Sequence, residues 1–429
     1  MQVFASLDKM GSTFFQNDLV LFFKNKIRGE WMTRLQHSRK VVLFVFMIGT
    51  FAIGMTEYVV TGLLTQFAKD LNVEVATTGL LLSVYAISVA VFGPFLRIIT
   101  IKMTPKPLLI GMMGIFVISN IIAATAPTFE VLLASRLLSA SMHAPFFGLC
   151  MSVAFYISEP EKQPSAIAAV QGGLTIAIML GVPLGSYIGG LFEWRYVFWF
   201  ITLLGVVSLL GIILTTPNHK HVTVPKLKEE LKIFKNKNVL LVLAIIVFGF
   251  SGVFTAYTFL EPMLRELSGF GVTSITIGFF FFGLGAVIGN FVSGRIQAAR
   301  LTERLIVALI ILAAVLALFT FLAPYSVLAF VMCFLFGAGT FGTTPILNAK
   351  IIIAGREAPS LSGTIAASVF NLANCIGATL GTLFLNSGLS FTWITLIAAG
   401  MILLGMIIAV VTNKVEDKSL YVLSNQPIE

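Results

Sequence analysis

Gly181-Val182-Pro183-Leu184-Gly185 and Gly377-Ala378-Thr379-Leu380-Gly381 carry the same pair of glycines at a constant offset of 196 residues, and Gly93 and Gly289 repeat that offset elsewhere in the chain. One offset serving separate glycine sites identifies a chain built from two similar halves. Each of these glycines lies inside a long apolar run. Around them, 57% of the 429 residues are hydrophobic and 11% are charged, against about 25% charged in a typical soluble protein. The mean hydropathy is +0.97. No soluble core is large enough to hide that much apolar surface, so the chain belongs in a bilayer. Disorder, which needs few apolar residues and many charges, is excluded by the same composition.

A spanning helix needs about 20 mostly apolar residues. Twelve such runs are present, over 42–66, 77–99, 108–126, 130–156, 164–191, 196–216, 239–262, 273–297, 302–322, 326–352, 359–387 and 391–412. The expected fold is an all-α membrane protein whose twelve transmembrane helices form two six-helix pseudo-repeats. The chain divides into an N-terminal tail (1–41), a first bundle (42–216), a linker (217–238), a second bundle (239–412) and a C-terminal tail (413–429). With the N-terminus in the cytoplasm, all but four of the 28 Lys and Arg residues fall on the cytoplasmic side. Lys69, Arg195 and Arg265 are outside and Arg136 lies within span 4. This asymmetry is a positive-inside signal. It places a multi-pass protein in the cell membrane with both termini cytoplasmic.

The net charge of +9 is therefore a topology signal and not a nucleic-acid footprint. The linker, with Lys220, Lys226, Lys228, Lys232, Lys235 and Lys237, reads as a solvated amphipathic connection. In the N-terminal tail, Phe14 to Phe23 is too short to span and is expected on the inner membrane surface. A start at Met32 would still leave a basic leader before span 1, so residues 1–31 are open between tail and dispensable extension. Cys150, Cys333 and Cys375 sit in apolar runs, and an odd number cannot fully pair. His219 and His221 are two ligands at most, in a linker, so no metal site is expected. The absence of a G-x-x-x-x-G-K-[ST] phosphate loop argues against ATP-driven pumping by this chain.

Ionisable residues inside a span mark function by default. Glu57 lies in Gly54-Met55-Thr56-Glu57-Tyr58 of span 1, and Arg136 lies in span 4, with His143 seven residues on and on the same helix face. At about 1.5 Å per residue, Glu57 is about 22 Å from the inner surface and Arg136 about 9 Å from the outer one, which is a similar height in a roughly 30 Å core. A Glu57–Arg136 interaction is possible by height. Burial favours the protonated carboxyl and a nearby arginine the ionised one, so a carboxylate between those influences could load and release a proton. A fixed structural pair is the competing reading. Glu261 and Arg97, at span ends, are expected to snorkel to water. Polar or aromatic residues on candidate cavity helices are His143, Phe146, Gln171, Tyr257, Asn371 and Asn374. Asn371 and Asn374 share a helix face. Amides in spans also serve simply to bond helices together.

Twelve spans, a six-plus-six repeat and a middle linker resemble the major facilitator superfamily over roughly residues 40–412. The run Gly181-Val182-Pro183-Leu184-Gly185-Ser186-Tyr187-Ile188-Gly189-Gly190 is similar to that superfamily's antiporter motif, with Ser186 at the usual proline position and Pro183 instead. Leu132 to Arg136 is similar to its L-x-x-x-R motif, whose arginine is implicated in proton coupling. Met142-His143-Ala144-Pro145-Phe146-Phe147 and the span 1 run from Met55 to Leu64 resemble the drug:proton antiporter-1 group, in its sugar-efflux, arabinose-efflux and purine-efflux-like branch. One departure stands out: Arg97 replaces the aspartate of the loop 2–3 motif, and its counterpart is Ala298.

The resemblance implies a proton-coupled antiporter that exports small organic molecules or drugs. It implies Glu57 and Arg136 in proton coupling, and Gly181, Pro183, Gly185, Gly189 and Gly190 as structural residues of span 5, whose glycines are expected where that span meets a span of the other half. It also implies a monomer without cofactor, driven by the proton gradient, with drug resistance as the associated property. A dedicated exporter of a sugar, purine base or nucleoside is the alternative within transport. A polytopic membrane enzyme is the alternative from another class, and the scattered histidines supply no catalytic cluster for it.

Overall fold

The computed structural model describes residues 39–100, 103–159, 162–217, 235–293, 301–354 and 359–415. The expectations for residues 1–31, for most of the linker with His219 and His221, and for Ala298 lie outside these residues, as does the side chain of Arg97. Among the described residues, twelve helices are long and apolar enough to cross a membrane. Spans 1 to 6 are Arg39–Gly62, Val75–Gly93, Pro105–Ala124, Phe129–Tyr156, Ala166–Leu191 and Trp194–Thr215. Spans 7 to 12 are Lys237–Thr258, Val272–Ser293, Leu301–Leu322, Ser326–Ala354, Ile365–Asn386 and Phe391–Lys414. Odd spans run from the end of the bundle where span 1 begins, the near end, to the far end.

Every packing relation in the first half recurs in the second. Span 1 packs on 5 and 6 as 7 packs on 11 and 12, span 2 on 4 as 8 on 10, and span 3 on 4 and 6 as 9 on 10 and 12. The halves meet along two seams of the same kind, spans 2 with 11 and 5 with 8. Glycine makes the contacts within each half close. A Cβ on Gly289 would lie 2.1 Å from the Ala338 carbonyl oxygen, and one on Gly185 would lie 2.0 Å from Val59 Cγ2. With lipid on the outside as apolar as the helix surfaces, such close packing is what holds spans together.

The antiporter-like glycines were expected to face the other half. Instead, Gly181 faces Met55 and Phe51, Gly185 faces Val59, and Gly189 faces Leu63, all in the first half. Gly190 is the exception, against Val272 at the start of span 8. The repeat-mates Gly377 and Gly381 likewise face their own half, at Phe254, Thr255 and Phe259. The motif therefore fits span 5 to span 1. Pro183 follows a widened π turn at Ala177–Gly181, consistent with the backbone bond that proline cannot make.

Spans 1 and 7 stop earlier than their apolar runs suggest. After Tyr58 the chain tightens into a 3-10 turn, Val59–Gly62, and a new helix, Leu64–Leu71, runs to Asn72 at φ 55°. After Thr258 a second helix, Leu260–Ser268, runs to Gly269 at φ 66°. The two helices begin 196 residues apart, the offset of the glycine pairs. Both are amphipathic: Leu64, Phe67 and Ala68 are buried while Lys69 and Asp70 are exposed. Polar residues there end the apolar run that a spanning helix requires.

Candidate functional site

The helix Arg39–Tyr58 ends within the first half, so the carbonyls of its last turn need partners from outside the helix. Arg136, fully buried in span 4, supplies them. Its Nη1 donates to the Thr56 carbonyl at 2.7 Å and its Nη2 to the Glu57 carbonyl at 3.5 Å. A cation at a helix C-terminus also meets the negative end of the helix dipole. The guanidinium lies over the Tyr85 ring, 4.2 Å from its centroid, a second source of compensation for a permanent charge in an apolar region. Thr56 Oγ1 bonds Asn120 of span 3 at 3.1 Å, fixing the same turn from another side.

The sequence allows a Glu57–Arg136 interaction by height, and the structure brings the two residues together through the Glu57 main chain. The guanidinium is engaged by main-chain carbonyls, and the carboxylate turns to His143, with Oε2 3.7 Å from Nδ1. His143 Nδ1 is also 3.1 Å from the Tyr85 hydroxyl. The reason is local: a helix end offers two carbonyls to a five-donor guanidinium, while the seven-residue spacing sets His143 two turns along the same face. Glu57, Arg136 and His143 are all buried.

The second half reaches this cluster through Tyr257. Its ring meets Tyr58 edge-on at 6.1 Å and packs on Phe282 at 4.8 Å. The buried Tyr257 hydroxyl has no hydrogen-bond partner among the described residues, an expensive state for a polar atom away from water. Asn374 is buried and Asn371 is half-buried, with Nδ2 donating to the Ala367 carbonyl at 3.0 Å. Among the described residues neither amide oxygen has a hydrogen-bond partner, and no hydrogen bond joins either residue to the Glu57 cluster. Gln171 is exposed on span 5 and stands apart from it. Phe146 is not a cavity wall: it is fully buried, against Gly49 in the core of the first half. Its neighbour Phe147 is the ring beside His143, at 5.9 Å.

Several polar residues escaped the sequence reading. Tyr85 and Asn120 sit in apolar runs and become significant only when spans 2 and 3 fold against 1 and 4. Lys350, counted among the cytoplasmic charges, is fully buried in span 10, where Nζ donates to Thr302 Oγ1. Glu261, expected to snorkel to water, is 0% exposed. Its Oε1 accepts from Arg265 Nε and Nη2 at 2.9 and 2.7 Å, and its Oε2 accepts from Thr65 Oγ1 at 2.7 Å. The free thiols of Cys150 and Cys333 are buried and Cys375 is half-buried. Among the described residues no group of three or more His, Cys, Asp or Glu is placed to hold a metal ion.

A twelve-span bundle of two six-helix repeats, with a buried polar cluster beside the junction of its halves, defines a membrane transporter of the facilitator type. The model of the Major Facilitator Superfamily matches residues 46–382, and the chain belongs to that family. It is 45% identical to the uncharacterized MFS-type transporter YfhI of Bacillus subtilis strain 168, over 90% of this chain and 97% of that protein. It is 28% identical to a Helicobacter pylori protein (strain ATCC 700392 / 26695) named probable sugar efflux transporter, over 80% of this chain and 88% of that one. Among solved structures, the human organic anion transporter MFSD10 (TETRAN) superposes with a TM-score of 0.63 at 15% identity, covering 87% of this chain and 99% of that one. The chain is thus a multi-pass membrane transporter of this superfamily.

Proposed function

We propose that this chain is a proton-coupled antiporter that exports small organic molecules across the cell membrane. The observation that carries the reading is the placement of Glu57. It is a buried carboxylate 3.7 Å from His143, one residue from Tyr58, which touches Tyr257 of the other half. A group at that junction senses the relative position of the halves, which is what a coupled carrier needs. The near end of the bundle, with both termini, is the cytoplasmic side, and the far end faces out. The protein acts as a monomer, with the proton gradient as its energy source and no cofactor. Arg136 serves by holding the main chain of Thr56 and Glu57, which fixes where the carboxylate points.

Glu57, His143 and Arg136 are the charged or imidazole groups of this cluster; Tyr257, Asn371 and Asn374 bring uncharged polar atoms, three of them without a hydrogen-bond partner among the described residues. That chemistry suits an uncharged or weakly charged substrate able to exchange hydrogen bonds. A dedicated sugar exporter is the second reading, favoured by the relative named for sugar efflux; drug export is the broader one. The test is uptake into everted vesicles with an imposed pH gradient, screening sugars, nucleosides and neutral antibiotics. Gradient-dependent uptake by the native protein and none by Glu57→Gln is the expected result. Gradient-driven uptake by a well-inserted Glu57→Gln protein would refute the assignment.

A further inference from the structure

Thr65 and Glu261 are repeat-mates: they stand 196 residues apart, each the second residue of the amphipathic helix that follows its span. They touch each other. The Thr65 hydroxyl donates to Glu261 Oε2 at 2.7 Å and the Thr65 backbone N–H donates to the same oxygen at 3.3 Å. A residue in contact with its own repeat-mate lies on the axis relating the halves, so this contact closes the far end at its centre. The carboxylate satisfies an N–H at the start of the Leu64–Leu71 helix from across the junction, where a helix leaves its first donors free. From its own helix, Arg265 donates twice to the other oxygen. Nearby, Thr382 Oγ1 donates to the Ala76 carbonyl at 3.1 Å and Thr379 Oγ1 to Ser83 Oγ at 3.1 Å, so spans 2 and 11 join the halves at the same end.

Separating the halves at the far end would strip Thr65 from Glu261 and return a fully buried carboxylate to water. We propose that Glu261 is a second proton-binding site of this transporter, at which a proton taken from the far side favours closure of that side. This rests on the antiporter reading only for the side from which protons arrive.

The surroundings support the direction. Burial pushes the Glu261 carboxyl above its ordinary range, against the opposing pull of the Thr65 hydrogen bond and the Arg265 charge. In an open form the Thr65 contact and the burial are lost, while Arg265 on the same helix still favours the ionised carboxylate. The closed form therefore binds the proton more tightly, and acid favours closure. That gain is fully present below the open-form value and is lost as the pH rises through the closed-form value. Other ionisable groups near the carboxylate are few. Its own helix adds Glu266. The Thr65 helix brings Lys69 and Asp70, the latter held by Arg195 at 2.6 Å. Of the remaining packed elements, spans 7 and 10 bring Tyr257 and Cys333 toward this end, and the parts of spans 1, 8 and 12 that pack there bring none.

The measurement is a distance distribution between spin labels at Lys69→Cys and Thr273→Cys, exposed positions on either side of the contact. It uses the full chain in lipid nanodiscs with its three native cysteines replaced by alanine. Acidification should raise the ratio of short to long distances; one unit of difference in proton affinity between the two forms corresponds to about a tenfold change. Glu261→Gln, which resembles the protonated group, should hold the ratio high and flat with pH. Arg265→Gln, at a part-exposed site suited to normal folding, removes the charge that favours ionisation and should move the midpoint to higher pH. A ratio that ignores pH, moves in the opposite sense, or keeps its native pH response in Glu261→Gln overturns the proposal, as does an unmoved midpoint in Arg265→Gln. Glu57→Gln separates the two readings. It should keep the distance response while losing gradient-driven transport. If it loses the distance response and Glu261→Gln keeps it, Glu261 is excluded and the Glu57 reading stands. If it transports normally and the Glu261 responses appear as expected, the reverse holds.

Discussion

Glu57 and Glu261 are both buried carboxylates near the ends of the repeat-related spans 1 and 7, yet they are held in opposite ways. Glu57 belongs to one half. His143, Arg136 and Tyr85 all come from the first six spans, and the second half approaches through the ring of Tyr257 on Tyr58. Glu261 is shared, with Arg265 on its own helix and Thr65 across the junction. A carboxylate held within one half keeps its partners while the halves move, and its response comes from what the other half covers or uncovers. A carboxylate shared between the halves must lose partners when they part. The same residue type thus suits a carrier site in one place and a closing contact in the other.

The largest expected effect breaks this comparison at its first member. Glu57→Gln should lower gradient-driven transport at least about a hundredfold, in line with loss of a positioned proton-transfer group, while binding of substrate to the purified protein persists. Loss of binding and transport together would show instead that the carboxylate contacts substrate. Arg136→Ala comes next. It leaves the Thr56 and Glu57 carbonyls without their donor and should cost about 1–3 kcal/mol of stability, together with much of the transport rate. Arg136→Lys should recover part of both, because one ammonium still reaches the 2.7 Å carbonyl. A thermal melt in detergent alongside vesicle transport separates positioning from proton coupling.

Gly185→Leu tests whether span 5 belongs to one half as firmly as Glu57 does. With Val59 Cγ2 2.0 Å from the position of a new Cβ, the substitution should destabilise by at least about 1–3 kcal/mol and lower the yield of folded protein. A protein of native stability with impaired transport would move this glycine to the moving junction after all. The smallest effect concerns Asp70, a carboxylate at the same end as Glu261 but exposed and confined to one half. Partial burial raises its carboxyl, but hydrogen bonds from Arg195 and Trp194 and the Arg195 charge hold it below its ordinary value. Its contribution is present above the ordinary carboxylate value and fades as the pH falls through the lowered one. Asp70→Asn should cost about 0.2–1 kcal/mol near neutral pH, read as a small drop in melting temperature. It should leave the far-end distances unchanged, in contrast to Glu261→Gln.

Sequence by itself determined the membrane, the twelve spans and the two halves, because these depend on one-dimensional quantities: run length, charge asymmetry and a constant offset. It also singled out Glu57, Arg136 and His143, because a charge or imidazole inside an apolar run is visible without any fold. Tertiary structure decided what those groups touch. Arg136 went to carbonyls and not to the carboxylate, because the α-helix of span 1 ends at Tyr58 and leaves acceptors there, a break hidden by an apolar run that continues to residue 66. Phe146 and Phe147 are adjacent in sequence and lie on different faces, so packing alone separated the core ring from the one beside His143. Glu261 read as a span-end charge free to reach water. It is buried because its repeat-mate Thr65 arrives from 196 residues away, and a contact across the axis between two halves exists only once both halves have folded and met.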